Sequence, residues 1–400
     1  MYMNKYRNDR RPLAEGTTLT PNLKIVKLLS DVGGSSLTYL AECTDSKVKV
    51  VVKEVYPLFS EIPFRRANDY SIVCDSTEKQ KTEIALKSIS DRLKQELENA
   101  ELLYKSGDSN SIHHFSYYDI TSDLVNSFDG TVAKYIAIET KDGKTLDDLI
   151  RGEDITLADA LLYTKKILTA LSDTHNKGFL HLDIKPDNLF FPSQLKKEES
   201  FCVFLDYGSA MKIDGDFDFN NLSLSLAFAS KELRLLNDFS SGIIADKYAV
   251  EQAKGLLGKG SDCYSVGCIL YRMILGQSFE YEVWEEIFDE DDFAQKTELI
   301  SASILQRIDK KDLHITQDIA KIISKALFFS EYKDEIELNR YNNCDDFIAD
   351  INDVIETLRE VGVKSSIINK KAFEVFSNQL DNFNLRKEMN KNWFSPVKKT

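Results

Sequence analysis

Asp183, Lys185 and Asn188 share one short stretch, His181-Leu182-Asp183-Ile184-Lys185-Pro186-Asp187-Asn188, bracketed by apolar residues. Eighteen residues beyond Asn188, the apolar run Phe201–Leu205 leads directly into Asp206-Tyr207-Gly208. These groups are the parts that phosphoryl transfer needs. A carboxylate orients the attacking hydroxyl and accepts its proton, and a lysine stabilises charge on the transferred group. Carboxylate and amide oxygens suit Mg²⁺, which bridges and neutralises phosphate oxygens. One loop and one strand end supply all four.

The rest of the chain must hold these groups in place. From Leu23 it reads as strands, Leu23–Ser30, Leu37–Cys43 and Lys47–Val55, rich in β-branched and apolar residues. A polar stretch from Tyr56 to Lys81 matches no simple period. A helical period spans Ser88–Lys105, and strands resume at His114–Ile120 and Ala133–Glu139. After Asp142-Gly143 the character changes. Leu157–Lys177 reads as an amphipathic helix burying Leu161, Leu162, Ile167, Leu168 and Leu171, and most of the chain beyond it reads as helical. A strand-rich part therefore joins a helix-rich part near residue 141. Residues 361–400 hold eight Lys/Arg against three Asp/Glu, a basic tail on an acidic body.

The 181–208 segment resembles the catalytic loop and metal-binding triplet of the eukaryotic-type serine/threonine protein kinases, and further matches extend over roughly residues 23–355. The resemblance implies an α+β bilobal protein-kinase fold, with a strand-rich N-lobe and a mostly helical C-lobe. The N-lobe is expected over 23–140 with an insertion around 56–88. The C-lobe is expected over 141–360 with an insertion around 233–260. An N-terminal extension, 1–22, and the tail, 361–400, flank them. Carried over, Asp183 is the catalytic base, Lys185 contacts the phosphate, Asn188 and Asp206 hold Mg²⁺, and ATP is the phosphoryl donor. His181 is read as a packing residue.

Val51-Val52-Lys53 resembles the strand lysine that pairs with nucleotide phosphates. Its helix partner is expected to be Glu98, because Leu102 falls one turn later on the same side; Glu96 and Glu101 are the competitors. Ala137-Ile138-Glu139-Thr140-Lys141 resembles the hinge. There the backbone of Glu139 to Lys141 would bond adenine and Ile138 would gate the back pocket. Glu232 in Ala229-Ser230-Lys231-Glu232, Arg340 and Asp262 resemble structural supports, the first two as a buried ion pair.

The sequence departs from the family at three places. In Asp31-Val32-Gly33-Gly34-Ser35-Ser36, Gly33 and Gly34 remain while Asp31 and Ser36 replace the outer glycines of the phosphate-covering loop. This loop, with Lys53-Glu54-Val55-Tyr56-Pro57, is nevertheless similar to a bacterial subgroup. Leu182 stands where many kinases carry an arginine that binds a phosphorylated activation loop. Activity is therefore expected not to depend on phosphorylation between Asp206 and Glu232, where Ser223 and Ser225 lie. Finally, Lys53 and Glu98 are 45 residues apart, longer than the pattern requires.

Composition narrows the function. The 400 residues are 42% hydrophobic with a net charge of −14, which disfavours wholesale disorder and nucleic-acid binding. The six cysteines, at 43, 74, 202, 263, 268 and 344, have no metal-ligand spacing. No stretch is long and apolar enough for a membrane span, the longest such run in the second half being broken by Arg272. The expectation is a cytoplasmic serine/threonine kinase acting on a protein substrate, with no membrane or nucleic-acid partner. A pseudokinase and a small-molecule kinase of related fold are the alternatives.

Overall fold

Apolar and polar residues alternate along the first long strands, and strand register follows from that alternation. The structure is a computed structural model. It describes residues 6–31, 36–60, 62–68, 72–74, 79–105, 117–119, 135–139, 142–152, 155–193, 201–215, 224–240, 243, 245–275, 286–287, 290, 292–305 and 313–361. The first lobe contains β1 (Tyr6–Arg7), β2 (Thr18–Thr20), β3 (Leu23–Ser30), β4 (Ser36–Cys43), β5 (Lys49–Val55), β6 (Phe59–Ser60), β7 (Phe64–Arg66) and β8 (Ile72–Cys74). The helix α1 (Lys79–Lys105), β9 (Tyr117–Asp119) and β10 (Tyr135–Glu139) complete it. An antiparallel sheet runs in the order β2-β3-β4-β5-β10-β9.

Two expectations shift here. The sheet begins at β2, inside the stretch expected to be an extension, because Thr18 and Thr20 pair with Lys24 and Leu23. The helix expected from Ser88 begins at Lys79, and the polar stretch before it forms β6, β7 and β8. Charged residues dominate that first turn, so helical period is hard to see there.

The second lobe begins with β11 (Gly143–Thr145), α2 (Leu146–Gly152), α3 (Leu157–Asn176) and β12 (Phe179–Leu180). A single 3-10 turn at Pro186–Asn188 leads into β13 (Leu189–Pro192), followed by β14 (Val203–Phe204) and β15 (Met211–Lys212). Then come α4 (Lys231–Ser240), α5 (Lys247–Leu256), α6 (Lys259–Leu275), α7 (Phe293–Leu305), α8 (Leu313–Ala326), α9 (Lys333–Asn339) and α10 (Cys344–Val361). Thr156 and Asp159 form a reciprocal capping box that starts α3. Its Leu161, Ile167, Leu168 and Leu171 are buried as expected, while Leu162 is only half-buried. From Gly260 onward α6 is wholly buried at the centre of the lobe. α4 and α5 occupy the region expected as the second insertion.

Between the lobes, Val51 of β5 and Ile138 of β10 pack with Phe190, Val203 and Leu205. This apolar cluster joins the first sheet to β13, which follows Asn188, and β14, which leads to Asp206. Among the described residues, no helix is long and apolar enough to cross a membrane.

Candidate active site

Strand alternation decides which way each face of β5 looks. Lys53 turns to the cleft, while Val52 and Glu54 are buried in the lobe behind it. The Lys53 Nζ lies 2.7 Å from Glu96 Oε1 and 3.0 Å from Asp206 Oδ2. One ammonium thus ties the sheet, the helix α1 and the second lobe together. Burial would lower the Lys53 ammonium, but Asp206 and Glu96 outweigh it and hold its pKa above the ordinary value. Burial likewise opposes the Asp206 charge, yet Lys53, Lys185 and the Gly208 amide bring its carboxyl down to about 2.

Glu98, the expected partner of Lys53, is elsewhere. Its side chain is 54% exposed and pairs with Lys94 one turn back, whereas that of Glu96 is 12% exposed. The inward face of α1 is Glu96, Asn99, Ala100 and Leu103, a helical stripe that leaves Leu102 40% exposed on the far side. Leu102 is the wrong guide; Leu103 marks the buried face. Asn99, missed in the sequence, donates from Nδ2 to the carbonyls of Tyr207 (2.9 Å) and Ala210 (2.7 Å). It pins α1 to the segment just after Asp206. The only sequence sign is its helical register with Glu96.

Across the cleft, Asp183 is nearly buried. Its Oδ2 accepts from Lys185 Nζ at 2.7 Å and from Asn188 Nδ2 at 3.1 Å. Its Oδ1 accepts from the Ser225 backbone N–H at 3.2 Å. Burial would lower the Lys185 ammonium, and Asp183 more than offsets it, so its pKa is raised. The Asn188 amide also donates to the Asp183 carbonyl at 3.0 Å, which fixes its orientation and leaves its oxygen for a cation. Gly208 N–H donates to Asp206 Oδ1 at 2.9 Å, and Leu205 N–H to the Asn188 carbonyl at 2.9 Å, so both candidate metal ligands are tied to one hydrogen-bonded unit.

The loop itself is held from below. Asp262 is fully buried and accepts from the backbone N–H groups of His181 and Leu182 at 2.8 Å each, with His175 Nε2 at 2.8 Å as a third partner. Leu182 has φ +62°, a left-handed conformation that costs a branched residue about 1–2 kcal/mol. The Asp262 contacts stabilise it. His181 packs against the rings of Phe204 and Tyr207 with centroids at 4.5 and 5.4 Å. Burial lowers its pKa, and its Nε2 has no hydrogen-bond partner among the described residues, so it is a neutral packing group.

Glu232 and Arg340 form the anticipated buried pair, with Nη2 to Oε1 at 2.9 Å and Nη1 to Oε2 at 3.3 Å; Ser261 Oγ adds a bond at 2.7 Å. Gly33, Gly34 and Lys141 lie outside the described residues, as does the Glu139 side chain. Glu139 backbone ends β10, paired with Val50.

The donor set fits Mg²⁺. The cation is satisfied by one or two protein oxygens plus substrate phosphates and water. An ionised Asp206 and the free oxygen of Asn188 meet that need.

Comparison with known proteins bears on the family and the fold. Residues 69–351 match the protein kinase domain. Over 166 residues the chain is 30% identical to a probable serine/threonine-protein kinase, PknB, of Bifidobacterium longum, covering 40% of this chain and 21% of that protein. It is 31% identical over 144 residues to a probable serine/threonine-protein kinase of Clostridium perfringens, covering 36% and 18%. The chain thus spans about a fifth of the length of these relatives. Among solved structures, the apo form of PpkA-294 superposes with a TM-score of 0.50 at 16% identity, covering 86% of this chain and 99% of that one. The kinase-domain match takes in more than half of the chain, including Glu96, Asp183, Asn188 and Asp206, and the chain belongs to the protein kinase family.

Proposed function

We propose that this protein transfers the γ-phosphoryl group of ATP to serine or threonine hydroxyls of a protein substrate. The observation that carries the reading is that two charge clusters share one cleft. Lys53 of the first lobe reaches Glu96 of α1 and Asp206 of the second lobe. Asp183 of the second lobe is held by Lys185 and Asn188. A module that only bound MgATP would need Lys53, Asp206 and Asn188, but not Asp183 with Lys185.

In this account Lys53 holds the nucleotide phosphates, and Glu96 keeps its ammonium aimed at them. Asn188 and Asp206 hold Mg²⁺, which when bound neutralises charge on the phosphate oxygens. Asp183 Oδ2, fixed by Lys185 and Asn188, leaves Oδ1 to take the hydroxyl proton in place of its bond to Ser225 N–H. Lys185 then stabilises the transferred phosphoryl. The backbone of Glu139 to Lys141 receives adenine beside Ile138, and Gly33 and Gly34 cover the phosphates.

Activity without activation-loop phosphorylation is the second part of the proposal. Leu182 is buried with Leu180, Ala229 and Leu233, against Met211, Ile213, Leu224 and Leu257. Apolar packing thus supports the segment where other kinases use an arginine and a phosphate. The Glu232–Arg340 pair favours a protein substrate over a small molecule, given the resemblance. The net charge of −14 speaks against nucleic acid as a partner. A cytoplasmic location accords with the free thiols of Cys43, Cys202, Cys263, Cys268 and Cys344.

The side chains at Asp31 and Ser36 favour a pseudokinase as the second reading. Incubation of the full chain with MgATP and a generic protein substrate separates the two. Transfer that disappears in Asp183→Asn supports the kinase. Nucleotide binding without transfer supports the pseudokinase.

A further inference from the structure

Asp206 is gripped at both carboxylate oxygens, and both grips lead back to α1. Oδ2 meets Lys53 Nζ at 3.0 Å, and Lys53 meets Glu96 of the helix at 2.7 Å. Oδ1 accepts from the Gly208 N–H at 2.9 Å. Gly208 lies inside a turn that the Ala210 N–H closes on the Tyr207 carbonyl at 3.1 Å. A Cβ added at Gly208 would stand 3.1 Å from Asp206 Oδ1, so the backbone of the turn lies directly against the carboxylate. Wherever this turn moves, the donor to Oδ1 moves with it.

Asn99 holds that turn. It follows Glu96 by one turn of α1 on the same face and is 3% exposed. Its Nδ2 donates to the carbonyls of Tyr207 at 2.9 Å and Ala210 at 2.7 Å, the two ends of the turn. Both partners are acceptors only, which sets the amide with its hydrogens toward them. Its Oδ1 accepts from Gln95 Nε2 at 2.9 Å, so both hydrogens and the oxygen are in use. An apolar side chain would fill the same space and supply no donor to the turn. The path from Oδ1 through Gly208 and Asn99 therefore mirrors the path from Oδ2 through Lys53 and Glu96.

We propose that Asn99 is a positioning residue for the metal-binding carboxylate of Asp206. By fixing the Tyr207–Ala210 turn on α1 it aims the Gly208 N–H at Oδ1, and this sets how tightly Asp206 takes Mg²⁺ together with a nucleotide. The inference rests on the assignment of Asp206 to Mg²⁺ in the proposed function. Adenine is received on a different element, beside Ile138 of β10. Loss of Asn99 thus acts on the metal and spares the base, whereas a residue that merely packed α1 against the second lobe would weaken every ligand alike.

The test is calorimetry of ADP on the full chain, once with saturating Mg²⁺ and once with EDTA, beside adenosine. In wild type Mg²⁺ should strengthen ADP binding. In Asn99→Ala that strengthening is expected to shrink about tenfold, the scale on which groups that orient a metal ligand act, while adenosine and metal-free ADP stay within about twofold. Asn99→Asp keeps the size and the bond from Gln95 but, when ionised, has no hydrogens for the turn, and should behave as alanine does. Asn99→Gln keeps the donors on a longer stem and should lose only about threefold of the Mg²⁺ effect. Equal weakening with and without Mg²⁺, or an unchanged Mg²⁺ effect, overturns the proposal. So does a wild type whose ADP affinity Mg²⁺ does not raise. Should the alanine and aspartate variants fail to fold, Asn99→Gln decides by the same comparison. A wild type that shows the Mg²⁺ effect yet transfers no phosphoryl refutes the transferase reading and leaves this comparison intact.

Discussion

The Nζ of Lys53 stands 2.7 Å from Oε1 of Glu96, and this contact couples the central strand of the first sheet to its long helix. Glu98, two residues on, faces solvent. Removing the Glu96 charge should therefore cost what removing Glu98 does not. Glu96→Gln is expected to lower kcat/KM for ATP by about ten- to a hundredfold, as for a buried charged partner. Glu98→Gln should stay within about twofold of wild type. Steady-state kinetics on the two variants decides between them.

The same pair gives a pH dependence. The Glu96 carboxyl is pushed up to about 7 by burial, with Lys53 pulling against it and Asp206 adding to it. As pH falls through about 7 the free protein's Glu96 takes a proton, and Lys53 loses its charged partner on the helix. A profile of kcat/KM for ATP should thus show an acid limb near pH 7, and Glu96→Gln should flatten it. Linkage has the opposite sign for folding. A carboxyl raised above its ordinary value contributes stability that is present at low pH and lost as pH rises toward about 7. Chemical denaturation of wild type and Glu96→Gln from pH 5 to 8 reads that contribution.

Leu182 carries the claim that the activation segment needs no phosphate. It is 2% exposed in an apolar cluster. Leu182→Arg places a charge there and should destabilise the protein by about 3 kcal/mol or more, seen in urea unfolding. Ser225 meets Asp183 through its backbone N–H, which alanine retains. Ser223→Ala with Ser225→Ala should keep transfer activity within about twofold. A large loss would sink the claim.

Glu232 and Arg340 tie the segment after Ser225 to the body of the second lobe. Arg340→Ala strands a buried carboxylate and should cost about 3–5 kcal/mol of stability. Burial opposes the Glu232 charge, but Arg340 and Ser261 hold its carboxyl below the ordinary value. Its contribution is present above the ordinary carboxylate range and lost as pH falls through the lowered pKa. Acid unfolding of wild type should therefore show a stability loss that Glu232→Gln lacks.

Much of this architecture is legible in the residues. The grouping of Asp183, Lys185 and Asn188 can be read because they sit close together on one loop, where type and spacing are both visible. Glu232–Arg340 can be read through resemblance, although 108 positions separate them. The helix partner of Lys53 is misread because α1 has several glutamates, and the choice turns on Leu102 where Leu103 faces the core. Asn99 is invisible because its partners are backbone carbonyls, which leave no trace in residue type. The buried bonds from Arg66 to Glu54 and to the Arg11 carbonyl are equally hidden. They join the N-terminal segment to the first sheet, and a polar stretch without period gives no sign that it folds back over a sheet.

The central claim is that Asp183 acts as the base for phosphoryl transfer. The most direct measurement is transfer of radiolabelled γ-phosphate from MgATP to a generic protein substrate by wild type and by Asp183→Asn. Asn keeps the shape and can still accept from Lys185, so nucleotide affinity should hold within about threefold while transfer falls by about a hundredfold or more. Equal transfer by both proteins, or none by a wild type that binds MgATP, would contradict it.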